Sequence, residues 1–204
     1  MANAKPTGKL TTGAIGNFLL GGAMVLFVLS GAVAGFTGGG GASDGAGILG
    51  LVALLLIVGG GITGSLGYFG LGSLYGGTNV LGGVFSILFA LVPILLVVGV
   101  QGAVTGGGAP GFLTYLFFVP ALLGVFGGLG VMKSQTGMAK PAGIVSLIGG
   151  LALVGLGVIL MTSSSLEDLA SKASLLQILS YVGFFGTAVG FFLTGAAMLG
   201  EKNA

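Results

Sequence analysis

The sequence predicts an all-α integral membrane protein, with six transmembrane helices arranged as three tandem two-helix hairpins that pack closely through glycine. Three observations predict this class. Only 5% of the 204 residues are charged and 54% are hydrophobic, whereas soluble domains carry about 25% charged residues. Apolar runs of membrane-spanning length follow one another along the chain. Glycine accounts for 46 residues, more than three times its usual ~7%, and membrane helices use glycine to approach one another.

A single membrane domain, residues 13–199, is expected between a polar N-terminal tail, residues 1–12, and a short C-terminal tail, residues 200–204. The first apolar run covers about 36 Å as a helix, which is enough to cross a hydrocarbon core of ~30 Å. The apolar runs predict spans at 13–36, 48–71, 80–103, 112–132, 142–161 and 175–199, which pair as the hairpins 13–71, 80–132 and 142–199.

The segments between the spans are rich in glycine or polar residues, and we expect turns at 36–47, 72–79, 105–111 and 133–141. The segment before the sixth span differs. Ser164 with Glu167, or Ser165 with Asp168, fits the capping box that begins a helix. The sixth span is therefore expected to begin as a helix outside the membrane.

Pairs of glycines four residues apart are the predicted helix-packing sites, because this spacing places both on one face of a helix. The pairs are Gly31 with Gly35, Gly60 with Gly64, Gly124 with Gly128, and Gly186 with Gly190. The last three pairs recur at intervals of 64 and 62 residues. This nearly constant interval indicates an internal repeat of one hairpin.

Two prolines are predicted helix kinks. Pro93 falls in the middle of the third span and Pro120 in the first half of the fourth. Proline removes one backbone hydrogen bond and bends most helices that contain it. The two bends could mark a cavity or a hinge, or they could be kinks of the kind that membrane helices commonly tolerate.

The lysines predict the topology. With six spans, Lys5, Lys9, Lys133, Lys140 and Lys202 fall on the side of the N-terminus, and only Lys172 falls on the other. The positive-inside rule then places both termini in the cytoplasm. Small size, short loops and the lack of cysteine favour the bacterial inner membrane. An alternative for the first span is a cleaved secretory signal ending near 32–34, but the run is longer than a typical signal.

The composition argues against catalysis. The chain contains no histidine and no cysteine, and none of the predicted spans contains a charged residue. Proton relays, ion-coupled carriers and voltage sensors retain such residues in the membrane, and nucleophilic catalysis by the serines 163–165 would need a partner base. We therefore expect no enzyme activity, no metal and no cofactor. The chain has six lysines and no arginine, without a basic run, so nucleic acid is not an expected partner.

Polar residues within the spans are mostly serine, threonine and tyrosine, which bond to their own helix or to a neighbour. We interpret them as structural. Asn17, Gln101 and Gln177 lie near predicted span ends, where an amide can reach interfacial water. They are weak markers of a pore.

Residues 82–97 and 142–160 resemble in style the HdeD-like bacterial membrane proteins, which also have six spans in three two-helix repeats with a glycine-rich start to each. The resemblance covers composition more than motif. It implies the same hairpin architecture.

The favoured function is a non-enzymatic integral membrane subunit. Its glycine faces are expected to pack against the lipid-embedded surface of other membrane proteins in a larger complex, or against copies of itself. The alternative is a passive channel or transporter for a small uncharged solute, lined by the hydroxyl groups of the even-numbered spans.

Overall fold

The computed structural model describes residues 6–36, 43–102, 115–116, 118–163 and 165–203. Within these residues the chain forms seven helices and no strand. The helices are α1 (Thr7–Phe36), α2 (Ser43–Tyr75), α3 (Gly77–Gly102), α4 (Phe118–Val131), α5 (Ala139–Thr162), α6 (Leu166–Ser171) and α7 (Ala173–Asn203).

The six long helices form a closed ring in chain order. Each of α1 to α5 packs against the next long helix, and α7 packs against α1. We call the end of the ring that holds the start of α1 and the end of α7 the near end, and the opposite end the far end. Helix α6 is a short turn of helix at the far end, before α7.

Closure of the ring depends on two aromatic stacks between α1 and α7. The ring centroids of Phe18 and Phe192 are 6.3 Å apart, and those of Phe27 and Phe184 are 6.4 Å apart. The residue number rises along α1 as it falls along α7, so the two helices are antiparallel. An even number of alternating helices allows this closure, since the first and last helices then run in opposite directions.

Five of the helices contain a segment that is long and apolar enough to cross a membrane. The segment is part of α1, α2 and α3 and the whole of α5 and α7. This agrees with the predicted all-α membrane protein. Helix α4 is apolar but has only 14 residues. Residues 112–114, which belong to the predicted fourth span, lie outside the described residues.

The expected turn at 72–79 is wrong in length. Gly76 alone separates α2 from α3. Its backbone N–H donates to the carbonyl of Gly72, 2.9 Å away, which continues the helical pattern of α2 by one residue. The chain then reverses at Gly76, whose φ of 87° lies in the left-handed region that glycine adopts without strain.

Other helix boundaries in the structure also differ from those predicted from the sequence. Residues 43–47, expected in a turn, are the start of α2, while 37–42 and 105–111 lie outside the described residues. The helix expected before the sixth span is confirmed as α6. Its N-cap is Ser165, whose hydroxyl accepts from the N–H of Asp168 at 3.2 Å, which is one of the two bonds of the second capping pair. Ser164 of the first pair lies outside the described residues.

The ring predicts that α1 and α7 can be cross-linked. Because the chain has no cysteine, Phe18→Cys with Phe192→Cys gives a unique pair. A short thiol cross-linker should hold the α1 and α7 fragments together on a denaturing gel after trypsin cleaves at the exposed Lys133. Phe18→Cys with Ile148→Cys, on the outer face of α5, is the control. If the control pair cross-links as well as the test pair, or if neither pair cross-links, the ring is not closed between α1 and α7.

Candidate functional site

Glycines bring the backbones of neighbouring helices together at all six interfaces of the ring. At each interface a glycine stands where an added Cβ would lie 3.0 Å or less from a backbone atom of the next helix. These glycines and the residues that they face are Gly16 and Gly64, Gly61 and Ser86, Gly130 and Asn79, Gly150 and Ala121, Gly149 and Thr187, and Gly195 and Ala14.

The predicted pair Gly60 and Gly64 lies on α2 between α1 and α3. A Cβ on Gly60 would lie 2.9 Å from the carbonyl oxygen of Gly16 on α1. A Cβ on Gly64 would lie 3.2 Å from the hydroxyl oxygen of Ser86 on α3. Both glycines therefore contact helices of the same chain.

The other two described pairs both pack against α5. A Cβ on Gly124 would lie 2.9 Å from the Ser146 carbonyl, and one on Gly128 would lie 2.8 Å from the Gly143 carbonyl. From the opposite side, Gly186 faces Gly149, and Gly190 faces Ser146. Gly31 and Gly35 lie in the last part of α1, where the structure does not describe packing. The three described pairs are thus occupied within the ring.

The centre of the near half of the ring is occupied by Tyr68 of α2. Its side chain is 1% exposed, and its hydroxyl donates to Oδ1 of Asn17 on α1 at 3.3 Å. A Cβ added to Gly82 of α3 would lie 3.0 Å from the tyrosine ring, and one added to Gly127 of α4 would lie 2.8 Å from its hydroxyl. A single side chain therefore contacts three other helices.

The expectation that Asn17 reaches interfacial water is wrong. Asn17 is fully buried, and its amide nitrogen donates to the carbonyl of Gly13, 2.9 Å away. With the hydrogen bond that Tyr68 donates, both the nitrogen and the oxygen of the Asn17 amide have partners, and this residue connects α1 to α2. Gln177 is exposed as expected, and the packing of Gln101 lies outside the described residues.

Two further polar side chains bond across helix interfaces. The Ser86 hydroxyl of α3 donates to the Gly61 carbonyl of α2 at 2.8 Å. The Asn79 amide, also on α3, donates to the Gly130 carbonyl of α4 at 3.1 Å. Asn79 lies in the segment expected to be a turn, because a polar residue that closely follows two glycines is typical of a loop.

A carboxylate is buried at the near end. Glu201 is 2% exposed and accepts from the Tyr75 hydroxyl at 2.6 Å and from the backbone N–H of Gln135 at 3.2 Å. Residues 200–203, expected in a tail, therefore continue α7 and connect it to α2 and to the turn between α4 and α5. Only its position just beyond the last apolar run distinguishes Glu201 in the sequence.

An apolar cavity of about 150 Å³ lies at the centre of the far half of the ring. Its walls come from five of the six long helices and the residues before α4: Met24, Phe27, Leu54, Ile57, Phe89, Val92, Leu96, Leu116, Pro120 and Phe184.

One of the two predicted kink prolines, Pro120, lies at this cavity. Pro120 lines it, and Pro93 is buried next to the lining residue Val92. Helix α3 continues through Pro93. Pro120 is the third residue of α4, where a missing N–H breaks no intrahelical bond, so the bend expected at Pro120 does not arise within α4.

The chain matches no protein family, no curated protein and no solved structure. The resemblance of residues 82–97 and 142–160 to the HdeD-like proteins therefore has no support from the family comparison.

Neighbouring glycines on α2 provide a matched test of the packing. An added Cβ at Gly60 meets α1, whereas one at Gly59 meets nothing within 4 Å. Gly60→Ala should lower the free energy of unfolding by about 1–3 kcal/mol through overpacking, and Gly59→Ala should leave it unchanged or raise it, because alanine favours a helix. Reversible unfolding in mixed detergent micelles, followed by circular dichroism, measures both. Equal effects of the two changes would contradict the described interface.

The hydroxyl of Tyr68 should contribute to stability. Tyr68→Phe keeps the ring between the helices but leaves Oδ1 of Asn17 without this donor, and we expect a loss of about 0.5–2 kcal/mol in the same unfolding assay. Tyr115→Phe is the control, since Tyr115 is 59% exposed. If both variants unfold like the wild type, the contact between Tyr68 and Asn17 has no energetic role.

Proposed function

We propose that the chain is a non-enzymatic integral membrane protein of six spans that serves as a structural or accessory subunit, in a larger membrane complex or in a homo-oligomer. The observation that carries this proposal is the contact between glycine and neighbouring backbone at every interface of the ring. A carrier must open some of its interfaces during transport. Six interfaces packed at backbone distance favour a fixed scaffold.

The sixth span of this proposal is α4. Its 14 residues cover about 21 Å, and four of the six residues 112–117 before it are phenylalanine or leucine. Contact of α4 with both α3 and α5 supports its place in the membrane, because these two neighbours are long enough to span.

Equivalent contacts support the hairpin repeat. Ser86 lies fourth after Gly82 and packs against Gly64, while Ser146 lies fourth after Ala142 and packs against Gly128. Each contact joins the second helix of one proposed repeat to the first helix of the next. The equivalent interface between α7 and α1 uses Gly195 and phenylalanines instead.

The near end is proposed to face the cytoplasm. Lys9, Lys133, Lys140 and Lys202 lie at helix ends or turns of the near end, and Lys172 lies at the far end. This distribution over the described residues agrees with the positive-inside rule. Both termini would then be cytoplasmic, in a bacterial inner membrane.

The alternative is a passive channel for a small uncharged solute. The cavity in the far half supports it, but the packed side chains of the near half oppose it. Tyr68, Asn17 and Leu123 are buried at the centre of the near half. A solute path would have to displace Tyr68 from Asn17 and from the glycines of α3 and α4.

A partner would contact the outer surface of the ring, because the described glycine pairs face inward. The row Tyr181, Phe185 and Phe192 on α7 is exposed. An aromatic row of this kind offers large, rigid contact area to another membrane helix.

Intact-complex mass measurement tests the proposed role. The tagged chain, purified from its native membrane in mild detergent, should appear with a stoichiometric partner or as a multiple of its own 19.7 kDa mass. Phe185→Ala should weaken that assembly without lowering the stability of the isolated chain, whereas Gly60→Ala should lower the stability. A single chain under all mild conditions, together with solute flux in proteoliposomes, would instead establish the channel.

A further inference from the structure

The cavity in the far half of the ring is a candidate ligand site. All ten described residues that line it are apolar, so none of their side chains offers a hydrogen bond to a water molecule. A buried water typically makes about three hydrogen bonds to polar groups. A dry apolar cavity of about 150 Å³ in another protein binds benzene or xenon, which indicates room for about six carbon atoms.

The depth of the cavity points to a particular apolar molecule. Leu96 lies six residues before the end of α3, and Ile57 lies fourteen residues after the start of α2, so the cavity walls extend from about 9 to about 21 Å below the helix ends at the far end of the ring. Half of a typical hydrocarbon core is ~15 Å. The acyl chains of the adjacent leaflet therefore reach this range of depth.

The interface between α1 and α7 gives such a chain a lateral route. Phe27 lines the cavity and is also 41% exposed. Its ring stacks on Phe184, which lines the cavity from α7. These two side chains therefore form the wall of the cavity at the interface between α1 and α7. Rotation of an aromatic side chain about its own bonds would open the interface without moving either helix.

We propose that this cavity binds the end of a membrane-lipid acyl chain, inserted between α1 and α7 beside Phe27. The bound portion is saturated hydrocarbon of about six carbons. The polar groups of the lipid stay outside the cavity, since the described lining residues offer them no hydrogen-bond partner. The inference goes beyond the proposed structural role and rests only on the location of the ring in a bilayer.

A tryptophan reporter tests this proposal, because the chain has no tryptophan of its own. Phe89→Trp places the reporter in the cavity wall, where Phe89 is 3% exposed. Leu91→Trp, two residues along α3 and 44% exposed, is the lipid-facing control. Both are reconstituted in phosphatidylcholine vesicles whose acyl chains carry bromine near the terminal methyl group, which quenches tryptophan on contact.

Quenching of both reporters in brominated vesicles is the expected result. Adding Val92→Phe, which fills the cavity, should abolish quenching of the Phe89→Trp reporter and leave quenching of the Leu91→Trp reporter unchanged. Ile57→Phe fills the cavity from α2 and serves as the second blocking variant if the first does not fold. Retained circular dichroism and a retained tryptic pattern identify the folded variants.

Three results would overturn the proposal. One is a Phe89→Trp reporter that stays as bright in brominated as in plain vesicles while the Leu91→Trp reporter is quenched. Another is quenching of the Phe89→Trp reporter that persists in folded variants with either filling substitution. A third is quenching by free 1-bromohexane in plain vesicles but not by brominated lipid, since the cavity would then accept a free apolar molecule and exclude a lipid chain. None of these results depends on whether the chain assembles with a partner, so failure here is distinct from failure of the proposed function.

Discussion

The close approach of α1 and α2 is the constraint on which the rest of the structure depends. Gly13 faces Gly67, and Gly16 faces Gly64, at backbone distance. Lipid offers the helices no hydrophobic driving force to associate, so dispersion contacts and interhelical hydrogen bonds must hold them. Glycine at both sides of a contact permits the shortest separation of the axes. This separation brings Tyr68 of α2 within reach of Asn17 of α1, one residue from each glycine contact.

The position of Tyr68 in turn determines what the interior of the ring can be. Six helices around an axis leave a central space that must be filled with side chains, with water or with a ligand. In the near half a large side chain with a satisfied hydroxyl fills it, and glycines on α3 and α4 make room for the ring of Tyr68. Residues on three other helices therefore have to match the shape of this one side chain. Replacement of any of these glycines by a larger residue would displace the tyrosine before it changed the outer surface.

Sequence reasoning could predict the apolar runs, since hydropathy depends on each residue alone. It could not predict the partners of Asn17, because the contact with Tyr68, 51 residues away, depends on how α1 and α2 are rotated about their axes. The same limit explains the turn expected at 72–79. Asn79 and Gly76 have the composition of a loop, yet Asn79 is buried because its amide bonds to Gly130 of α4. Pro120 is a second kind of failure. A proline in an apolar run predicts a mid-helix kink, and only the structure shows that this one stands at the start of its helix.

The described residues of the two halves of the ring make different kinds of contact, hydrogen bonds in the near half and apolar contacts around the cavity in the far half. Among the described residues, Tyr68, Asn79 and Glu201 of the near half connect α2, α3 and α7 to other parts of the chain by side-chain hydrogen bonds, and α2 and α3 are joined there through a single residue. At the far end, Lys172 pairs with Asp168 and donates to the Ser163 hydroxyl. The far half surrounds its cavity with apolar contacts, which have no preferred geometry and tolerate small displacements. A directional bond is lost when its partners shift by about 1 Å, whereas dispersion contacts can re-form with different neighbours. A protein built in this way can accommodate an apolar guest in the far half while the near half keeps the helices in register.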